Sequence, residues 1–186
     1  MVVITLNEGS NIDEVLASVA WADEIVVVDS GSVDDTLERA RRHTGRVSHR
    51  AWTGYGAQKD HATNLASHDW VLSLDADERV SLELAAEIQS VLEREPPHSG
   101  YRIPRTTRYL GTWIRTTDWY PDYQLRLYDR RKAHWSNDPV HESVHLDGSV
   151  GSLTQDIHHY AYRDLSNHVD TINRYTSLAA GQLRDN

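Results

Sequence analysis

Two aspartates that follow an apolar segment are the residues of this chain best suited to chemistry. Asp75 and Asp77 come directly after the run WVLSL at 70–74. Burying an unpartnered carboxylate costs free energy, so a positive group is expected beside them. If the backbone stays extended there, both side chains project to one face, with their Cα atoms ~6–7 Å apart. That spacing suits Mg²⁺ or Mn²⁺, which take oxygen ligands and need few from the protein when a phosphate completes the shell.

An acidic turn is the alternative interpretation of the same pattern. A helix is predicted to begin at Ser81, and Asp75 or Asp77 would then accept hydrogen bonds from backbone N–H groups before it. Taken alone, D-x-D after an apolar run does not decide between a metal site and a turn.

Further acidic residues follow the other predicted strands of the first half. Strands are predicted at 2–6, 24–28, near 47 and at 70–74, and they alternate with helices at 12–19, 36–40, 57–66 and from 81 to before Pro96. This alternation predicts a parallel sheet, in which ligands bind at the carboxyl ends of the strands. Glu8 follows the first strand and Asp29 ends the second. We therefore expect a cleft lined by carboxylates at one edge of the sheet.

The second half has a different character. The segments GYRIPR, YQLRLYD and SVHLDG predict short, antiparallel strands joined by Trp- and Tyr-rich loops. Apolar residues at helical spacing predict a C-terminal helix over 165–183. Its polar face mixes acidic and basic residues, so packing on the core is favoured over lipid binding. No linker long enough to separate two domains is present, so we expect one domain over 1–186.

Composition excludes several classes of protein. The chain has 186 residues, no cysteine and a net charge of −9. The absence of cysteine excludes disulfides and thiolate metal sites, and the negative charge argues against nucleic acid as the main partner. No apolar run approaches the ~20 residues that span a bilayer, and no signal-peptide pattern opens the chain. These features predict a cytoplasmic protein.

Four ordered motifs carry a resemblance to a known family. They are TLNEGSNI at 5–12, VVVDSGSVDDT at 26–36, GYGAQKDHATNLA at 54–66 and DWVLSLDADE at 69–78. The set resembles the family-2 glycosyltransferases of GT-A fold. WYPDYQLRLY, PVHE and YRDL narrow the resemblance to the lipopolysaccharide-core β-1,4-glucosyltransferase branch. The resemblance implies an α/β fold with a Rossmann-like, mostly parallel central sheet flanked by helices, a small antiparallel element and a C-terminal helix.

The resemblance also implies a reaction. It indicates metal-dependent, inverting transfer of a hexose, with glucose favoured, from a UDP-sugar to a glycolipid or polysaccharide such as lipopolysaccharide core. The cofactor would be Mn²⁺ or Mg²⁺. The nucleotide-sugar-binding half would be 1–98 and the acceptor-binding half 99–186. Association with the inner face of the cytoplasmic membrane stays open as an alternative location, and the oligomeric state is left open.

Site residues follow from matching the family's motifs to this chain. The family's first loop, which holds base and ribose, matches Thr5, Asn7 and Glu8. Asp29 matches the acidic residue that pairs with the uracil edge, with Gly31 in the tight turn behind it. A helix-cap or Asx-turn role is the alternative for Asp29. Lys59 matches the residue facing the diphosphate, whereas the adjacent Asp60 replaces the family's usual Asn.

The family's metal element matches the D-x-D pair. Asp77 is the preferred metal ligand, and Asp75 is assigned to the ribose or to a metal-bound water. His141 is a candidate for a further metal or diphosphate ligand.

The general base is expected in the second half, where the acceptor must approach. Asp122 is the preferred candidate because it follows Pro121, lies among aromatic residues suited to stacking on sugars and precedes a strand. Glu142 is the second candidate, and a simple turn residue is the alternative for Asp122.

Two other functions remain as alternatives. A haloacid-dehalogenase-like, Mg²⁺-dependent phosphohydrolase also places D-x-D after an apolar strand, although it normally does so near the chain start. A non-catalytic nucleotide-sugar-binding module would keep donor binding without turnover. An NAD-binding domain is disfavoured because no G-x-G-x-x-G follows the first strand.

Overall fold

The computed structural model of this protein describes residues 1–136 and 142–161, together with Leu165, His168, Val169, Asn173 and Thr176. Its helices are α1 (Ile12–Ser18), α2 (Thr36–His43), α3 (Tyr55–Leu65) and α4 (Leu82–Leu92). The strands of the first half are β1 (Val2–Thr5), β2 (Val26–Asp29), β3 (Val47–His49), β4 (Trp70–Asp75) and β5 (Glu78–Val80). Those of the second half are β6 (Gly100–Tyr109), β7 (Thr112–Ile114), β8 (Asp122–Asp129), β9 (Ala133–Trp135), β10 (Val144–Leu146), β11 (Val150–Ser152) and β12 (Ile157–His159).

The main sheet has the order β3-β2-β1-β4-β8-β6-β12-β5, with β7 and β11 added to β6. The strands β3, β2, β1 and β4 are parallel, and β8 is antiparallel to both β4 and β6. β9 and β10 form a separate antiparallel pair. Because β8 runs against β4, its first residues reach the edge where β1, β2 and β4 end. This edge collects residues from both halves of the chain.

Side-chain alternation along the strands separates two apolar layers, one on each face of the sheet. One layer joins alternate residues of β1, β2 and β4 to α1, α2 and α4, and includes Val3, Val27, Leu72 and Leu74. The other joins the intervening residues to α3 and Trp135, and includes Val2, Val28 and Val71. Each fully buried aliphatic side chain contributes about 1.5–3 kcal/mol. The same alternation turns Asp75, two positions after Ser73 and four after Val71, toward α3.

The predicted elements of the first half are confirmed with small shifts at their ends, and the α/β class is confirmed. The prediction of an extended backbone over 75–77 was wrong. β4 ends at Asp75, residues 76–77 form a turn, and the unpredicted strand β5 begins at Glu78. The side chain of Glu78 accepts a hydrogen bond from the Asp75 N–H at 3.0 Å, which helps to close the turn.

The antiparallel strands predicted for the second half are present, although β11 and β12 run parallel to β6. Most of the helix predicted over 165–183 lies outside the described residues. Among the residues that are described, no helix combines the length and apolarity needed to cross a bilayer.

Candidate active site

The first group of site residues lies where β1 and β2 end. Thr5 and Asp29 occupy paired positions, and the Ser30 N–H donates to the Thr5 carbonyl at 2.9 Å. The Asp29 side chain is fully buried, and its Oδ2 accepts hydrogen bonds from the backbone N–H groups of Gly31 at 2.8 Å and Ser32 at 2.9 Å. Gly31 has a φ of +107°, which favours glycine. In this structure the Asp29 carboxylate forms the turn after β2, the geometry of the Asx-turn alternative.

Asn7 and Glu8 hold the loop after β1 against that turn. The Asn7 N–H donates to Ser32 Oγ at 2.8 Å, and the Glu8 N–H donates to Thr36 Oγ1 at 2.8 Å. The Glu8 side chain accepts a hydrogen bond from Asn11 Nδ2 at 2.8 Å. The predicted nucleotide-binding loop is therefore rigidly tied to the end of β2 and the start of α2.

Two buried polar atoms at this edge have no hydrogen-bond partner within the described part of the chain. They are Thr5 Oγ1 and Gln58 Oε1. The Gln58 amide is oriented, because its Nε2 donates to Ser30 Oγ at 2.8 Å and to the Arg50 carbonyl at 3.0 Å. Buried polar atoms are usually hydrogen-bonded, so a ligand or an ordered water is the expected partner.

The second group of site residues forms where α3 faces the end of β4. Lys59 Nζ lies 2.8 Å from Asp75 Oδ1 and 2.9 Å from Glu142 Oε1. It also lies 4.9 Å from the ring centroid of Trp135. The Lys59 side chain is only 3% exposed, and such burial of a lysine requires partners of opposite charge. The adjacent Asp60 accepts hydrogen bonds from Asn64 Nδ2 within α3 at 3.1 Å and from the Trp135 N–H of β9 at 3.4 Å.

Arg126 and Glu78 extend this group across the sheet. Arg126 Nη2 lies 2.5 Å from Asp75 Oδ2 and 2.8 Å from Glu78 Oε1. Arg105 Nη1 also reaches Glu78 Oε1, at 3.1 Å, and its Nη2 lies 2.6 Å from Asp122 Oδ2. A continuous chain of ion pairs results, called the ionic cluster below, whose members are Glu142, Lys59, Asp75, Arg126, Glu78, Arg105 and Asp122.

Protonation in the ionic cluster is governed by competition between burial and charge. Burial acts to raise the pKa of Asp75, but the charges of Arg126 and Lys59 outweigh it and hold that pKa well below its usual value. Burial acts to lower the pKa of Arg126, but the charges of Asp75 and Glu78 outweigh burial and hold that pKa above its usual value. Both Asp75 and Arg126 are therefore charged at neutral pH.

Asp77 has a different environment from Asp75. Its Oδ2 lies 3.4 Å from His159 Nε2, and its side chain is 32% exposed. Burial acts to raise the pKa of Asp77, and the hydrogen bond and charge of His159 bring it below the usual value. Thus Asp75 has a cationic group on each oxygen, whereas Asp77 has an imidazole beside one oxygen.

The donor set at Asp77 fits a divalent cation that shares its ligands with a substrate. Among the residues described, no group of three or more acidic, imidazole or thiol side chains is arranged to hold a metal ion by itself. Mg²⁺ commonly uses one or two carboxylates together with substrate phosphates. Asp77 supplies a carboxylate, and His159 supplies a neighbouring nitrogen. The predicted ligand His141 lies outside the described residues.

The two candidates for the general base lie at opposite ends of the ionic cluster. Asp122, at the start of β8, accepts hydrogen bonds from Arg105 on Oδ2 and from Gln124 Nε2 on Oδ1 at 2.6 Å. Its side chain is 33% exposed. Glu142 contacts Lys59 on the α3 side. Asp122 therefore lies beside Arg105 of β6, whereas Glu142 lies beside Lys59, the residue predicted to face the diphosphate.

Glu78, Arg105 and His159 are among the site residues that were not found from the sequence. Glu78 directly follows D-x-D, and that position was its only signal. Arg105 becomes a partner of Asp122 because the two occupy paired positions of the β6–β8 ladder. His159 reaches Asp77 through the β5–β12 ladder, in which it pairs with Glu78. No local spacing could have found these contacts between distant parts of the chain.

Comparison with known sequences identifies the family. The family described as "Glycosyl transferase family 2" matches residues 1–145. An uncharacterized glycosyltransferase of Rickettsia typhi is 31% identical over 193 residues, which cover 97% of this chain and 66% of the relative. The lipopolysaccharide core biosynthesis glycosyltransferase LpsC of Rhizobium meliloti is 28% identical over 187 residues, covering 97% of this chain and 69% of LpsC. The chain thus spans about two thirds of the length of these curated relatives.

Solved structures show the same fold. The crystal structure of S. aureus TarS 1-349 in complex with UDP-GlcNAc has a TM-score of 0.63 at 16% identity, covering 90% of this chain and 59% of TarS 1-349. A second structure of TarS 1-349 has a TM-score of 0.61 at 18% identity, covering 86% and 59%. The TM-scores establish a shared GT-A architecture, and at these identities they show nothing finer. The family match over residues 1–145 shows that this chain belongs to glycosyl transferase family 2.

Proposed function

We propose that this protein is a metal-dependent, inverting glycosyltransferase that moves a hexose, with glucose favoured, from a UDP-sugar to a glycolipid or polysaccharide acceptor such as lipopolysaccharide core. One observation carries the proposal: Asp29, Lys59 and Asp77 lie along one edge of the sheet in a family-2 chain. The name of LpsC supports the acceptor class, and the TarS complex with UDP-GlcNAc supports a UDP-sugar donor. Such an acceptor would place the protein at the inner face of the cytoplasmic membrane.

The nucleotide would lie at the ends of β1 and β2. Thr5, Asn7 and Glu8 would hold base and ribose, and Asp29 would keep the Gly31 turn in the shape that receives the uracil edge. The unpartnered buried oxygens of Thr5 and Gln58 support a polar ligand at this position.

The diphosphate would lie beside Lys59 and Asp77. Lys59 is shared by Asp75 and Glu142, and an entering diphosphate would compete with these carboxylates for its ammonium group. Asp77, with Asp75 and His159 beside it, would hold Mn²⁺ or Mg²⁺, and His141 is proposed as a further ligand. A bound divalent cation neutralises the negative charge that develops on a departing diphosphate.

Transfer requires a base on the acceptor side of the sugar. The acceptor hydroxyl oxygen would bond to the anomeric carbon while the bond from that carbon to the diphosphate oxygen breaks and its electron pair leaves with UDP. Asp122 would take the hydroxyl proton, with Glu142 as the second candidate. Attack from the face opposite the leaving group inverts the anomeric centre.

A panel of nucleotide sugars, tested by thermal shift with and without Mn²⁺, tests this function. A UDP-hexose should raise the melting temperature only when Mn²⁺ is present, because the metal is proposed to hold the diphosphate. A ligand at 100 times its Kd stabilises the folded state by about 2.7 kcal/mol, which is enough to shift the melting temperature. Transfer from the same donor to lipopolysaccharide-core oligosaccharides should then be detectable. If no nucleotide sugar shifts the melting temperature, the proposal is wrong. Donor binding without transfer to any saccharide would instead indicate the non-catalytic binding module.

A further inference from the structure

Glu78 is the carboxylate on which both arginines of the ionic cluster meet. It is fully buried, and its Oε1 accepts hydrogen bonds from Arg105 Nη1 at 3.1 Å and from Arg126 Nη2 at 2.8 Å. We propose that Glu78 is a positioning residue that, by holding Arg105, fixes the orientation of Asp122 for proton transfer from the acceptor. The inference rests on the proposed function, and specifically on Asp122 as its base.

Arg105 is the group through which Glu78 would act. A guanidinium is a planar fork, so fixing one of its nitrogens restricts the direction of the others. Glu78 fixes Nη1, while Nε and Nη2 both contact Asp122 Oδ2, at 2.9 and 2.6 Å. The Arg105 backbone is also held opposite Asp122 in the β6–β8 ladder. The plane of this guanidinium, and with it the place of Asp122 Oδ2, therefore depends on Glu78.

Glu78 also limits how strongly Arg105 pairs with Asp122. The Arg105 guanidinium interacts with two carboxylates, Glu78 and Asp122, so its positive charge is shared between them. Without Glu78, Arg105 would have Asp122 as its remaining carboxylate partner at this end of the ionic cluster, and Asp122 Oδ2 would be less available to the acceptor hydroxyl. Loss of the Glu78 charge should therefore slow the chemical step. Glutamine at this position keeps a side-chain oxygen that can accept the hydrogen bond from the Asp75 N–H, so donor binding at Lys59 and Asp77 should change less.

The alternative is that Glu78 only stabilises the fold, as many buried ion pairs do. Asp129 provides a matched control for that role. It is a buried carboxylate on the same strand as Arg126, its Oδ2 lies 2.7 Å from Arg131 Nη2, and it pairs with Trp70 at the start of β4, away from the ionic cluster. A purely structural loss should affect Asp129→Asn and Glu78→Gln alike.

A double-mutant cycle on kcat tests the inference. UDP release from UDP-glucose would be measured with lipopolysaccharide-core oligosaccharides as acceptor, for the unaltered protein, Glu78→Gln, Asp122→Asn and the double variant. Glu78→Gln should lower kcat by about 10- to 100-fold, a part of what general-base catalysis provides, with the donor KM changed by less than about threefold. In the Asp122→Asn background the same change should lower kcat by less than about twofold, because groups acting through one another are not additive. Asp129→Asn should leave kcat unchanged.

Several outcomes would overturn the inference. An unaltered kcat in Glu78→Gln, or equal losses in both backgrounds, would show that Glu78 does not act through Asp122. If Glu78→Gln does not unfold cooperatively, Arg105→Lys replaces it in the cycle, because a lysine cannot hold both carboxylates in the fork geometry. Losses of kcat that multiply with that of Asp122→Asn would again contradict the inference. An unaltered protein that binds UDP but releases none from UDP-glucose would contradict the proposed transfer itself, and the inference with it.

Discussion

Asp75 and Asp77 are two residues apart, yet their surroundings give them different chemistry. Asp75 is bound by Lys59 and Arg126, so both of its oxygens already interact with cationic side chains. Asp77 lies in the turn after β4 and faces His159. An oxygen paired with a guanidinium is a poor metal ligand until that pair is broken. At the residue scale, Asp77 is therefore the better candidate for the cation, and Asp75 is suited to positioning Lys59.

Asp122→Asn tests the base assignment at the same scale. The amide keeps an oxygen that can accept hydrogen bonds from Arg105 but cannot take the acceptor's proton, so donor binding should persist. Transfer should fall by at least about two orders of magnitude, as expected for loss of a general base. Product formation under saturating donor and the UDP affinity would be measured together.

Glu142→Gln is the comparison variant for that test. Glu142 contacts Lys59, so its loss should affect donor affinity more than the chemical step. If Glu142→Gln abolishes transfer while Asp122→Asn is active, the roles proposed for the two residues are reversed.

The candidate site residues that the sequence indicates are those that end or directly follow apolar strands. Asp29, Asp75 and Asp77 were predicted to lie together because parallel strands collect their carboxyl ends at one edge of a sheet. The structure brings them and Lys59 to that edge, and their roles stay predictions. Glu78, Arg105 and His159 were not found, because their contacts depend on the register of β5, β6, β8 and β12. A sequence alone does not specify that register.

At the scale of elements, strands and helices of the first half were predictable because each strand is a short apolar run and each helix has apolar residues at helical spacing. The three-residue strand β5 was missed because it is too short to show any periodicity and because its charged residues Glu78 and Arg79 are both buried. Their burial is a consequence of the ion pairs that they form, so only the assembled fold explains why these residues form a strand.

At the scale of elements, the N-cap residue Ser81 stabilises the start of α4. Its Oγ accepts a hydrogen bond from the Leu84 N–H at 3.1 Å, which satisfies one of the free donors at the helix start. Ser81→Ala should lower the free energy of unfolding by about 1 kcal/mol, which for a chain of this size is a fall in melting temperature of about 2–4 °C.

Ser90→Ala, at an exposed position inside α4, is the control. Alanine has the higher helix propensity, so this variant should be as stable as the unaltered protein or slightly more stable. Equal losses in both variants would show that the cap contributes nothing.

For the whole molecule, net charge affects how the proposed donor would bind. The net charge is −9, and the ionic cluster itself contains four carboxylates against three cationic side chains. A nucleoside diphosphate is also an anion, so it would be repelled by this edge of the sheet unless a cation binds with it. The negative surface that argues against nucleic acid as a partner thus also supports the need for a metal ion in donor binding.

Calorimetric titration of UDP with and without Mn²⁺, on the unaltered protein and on Asp77→Asn, tests the central claim most directly. Asp147→Asn, on an exposed turn after β10, serves as the control for loss of one negative charge. We expect UDP to bind the unaltered protein and Asp147→Asn only when Mn²⁺ is present. Asp77→Asn should lose that metal-dependent binding while its thermal unfolding stays nearly unchanged. Equal UDP and Mn²⁺ affinities in Asp77→Asn and the unaltered protein would contradict the assignment of this edge of the sheet as a cation-assisted nucleotide-sugar site.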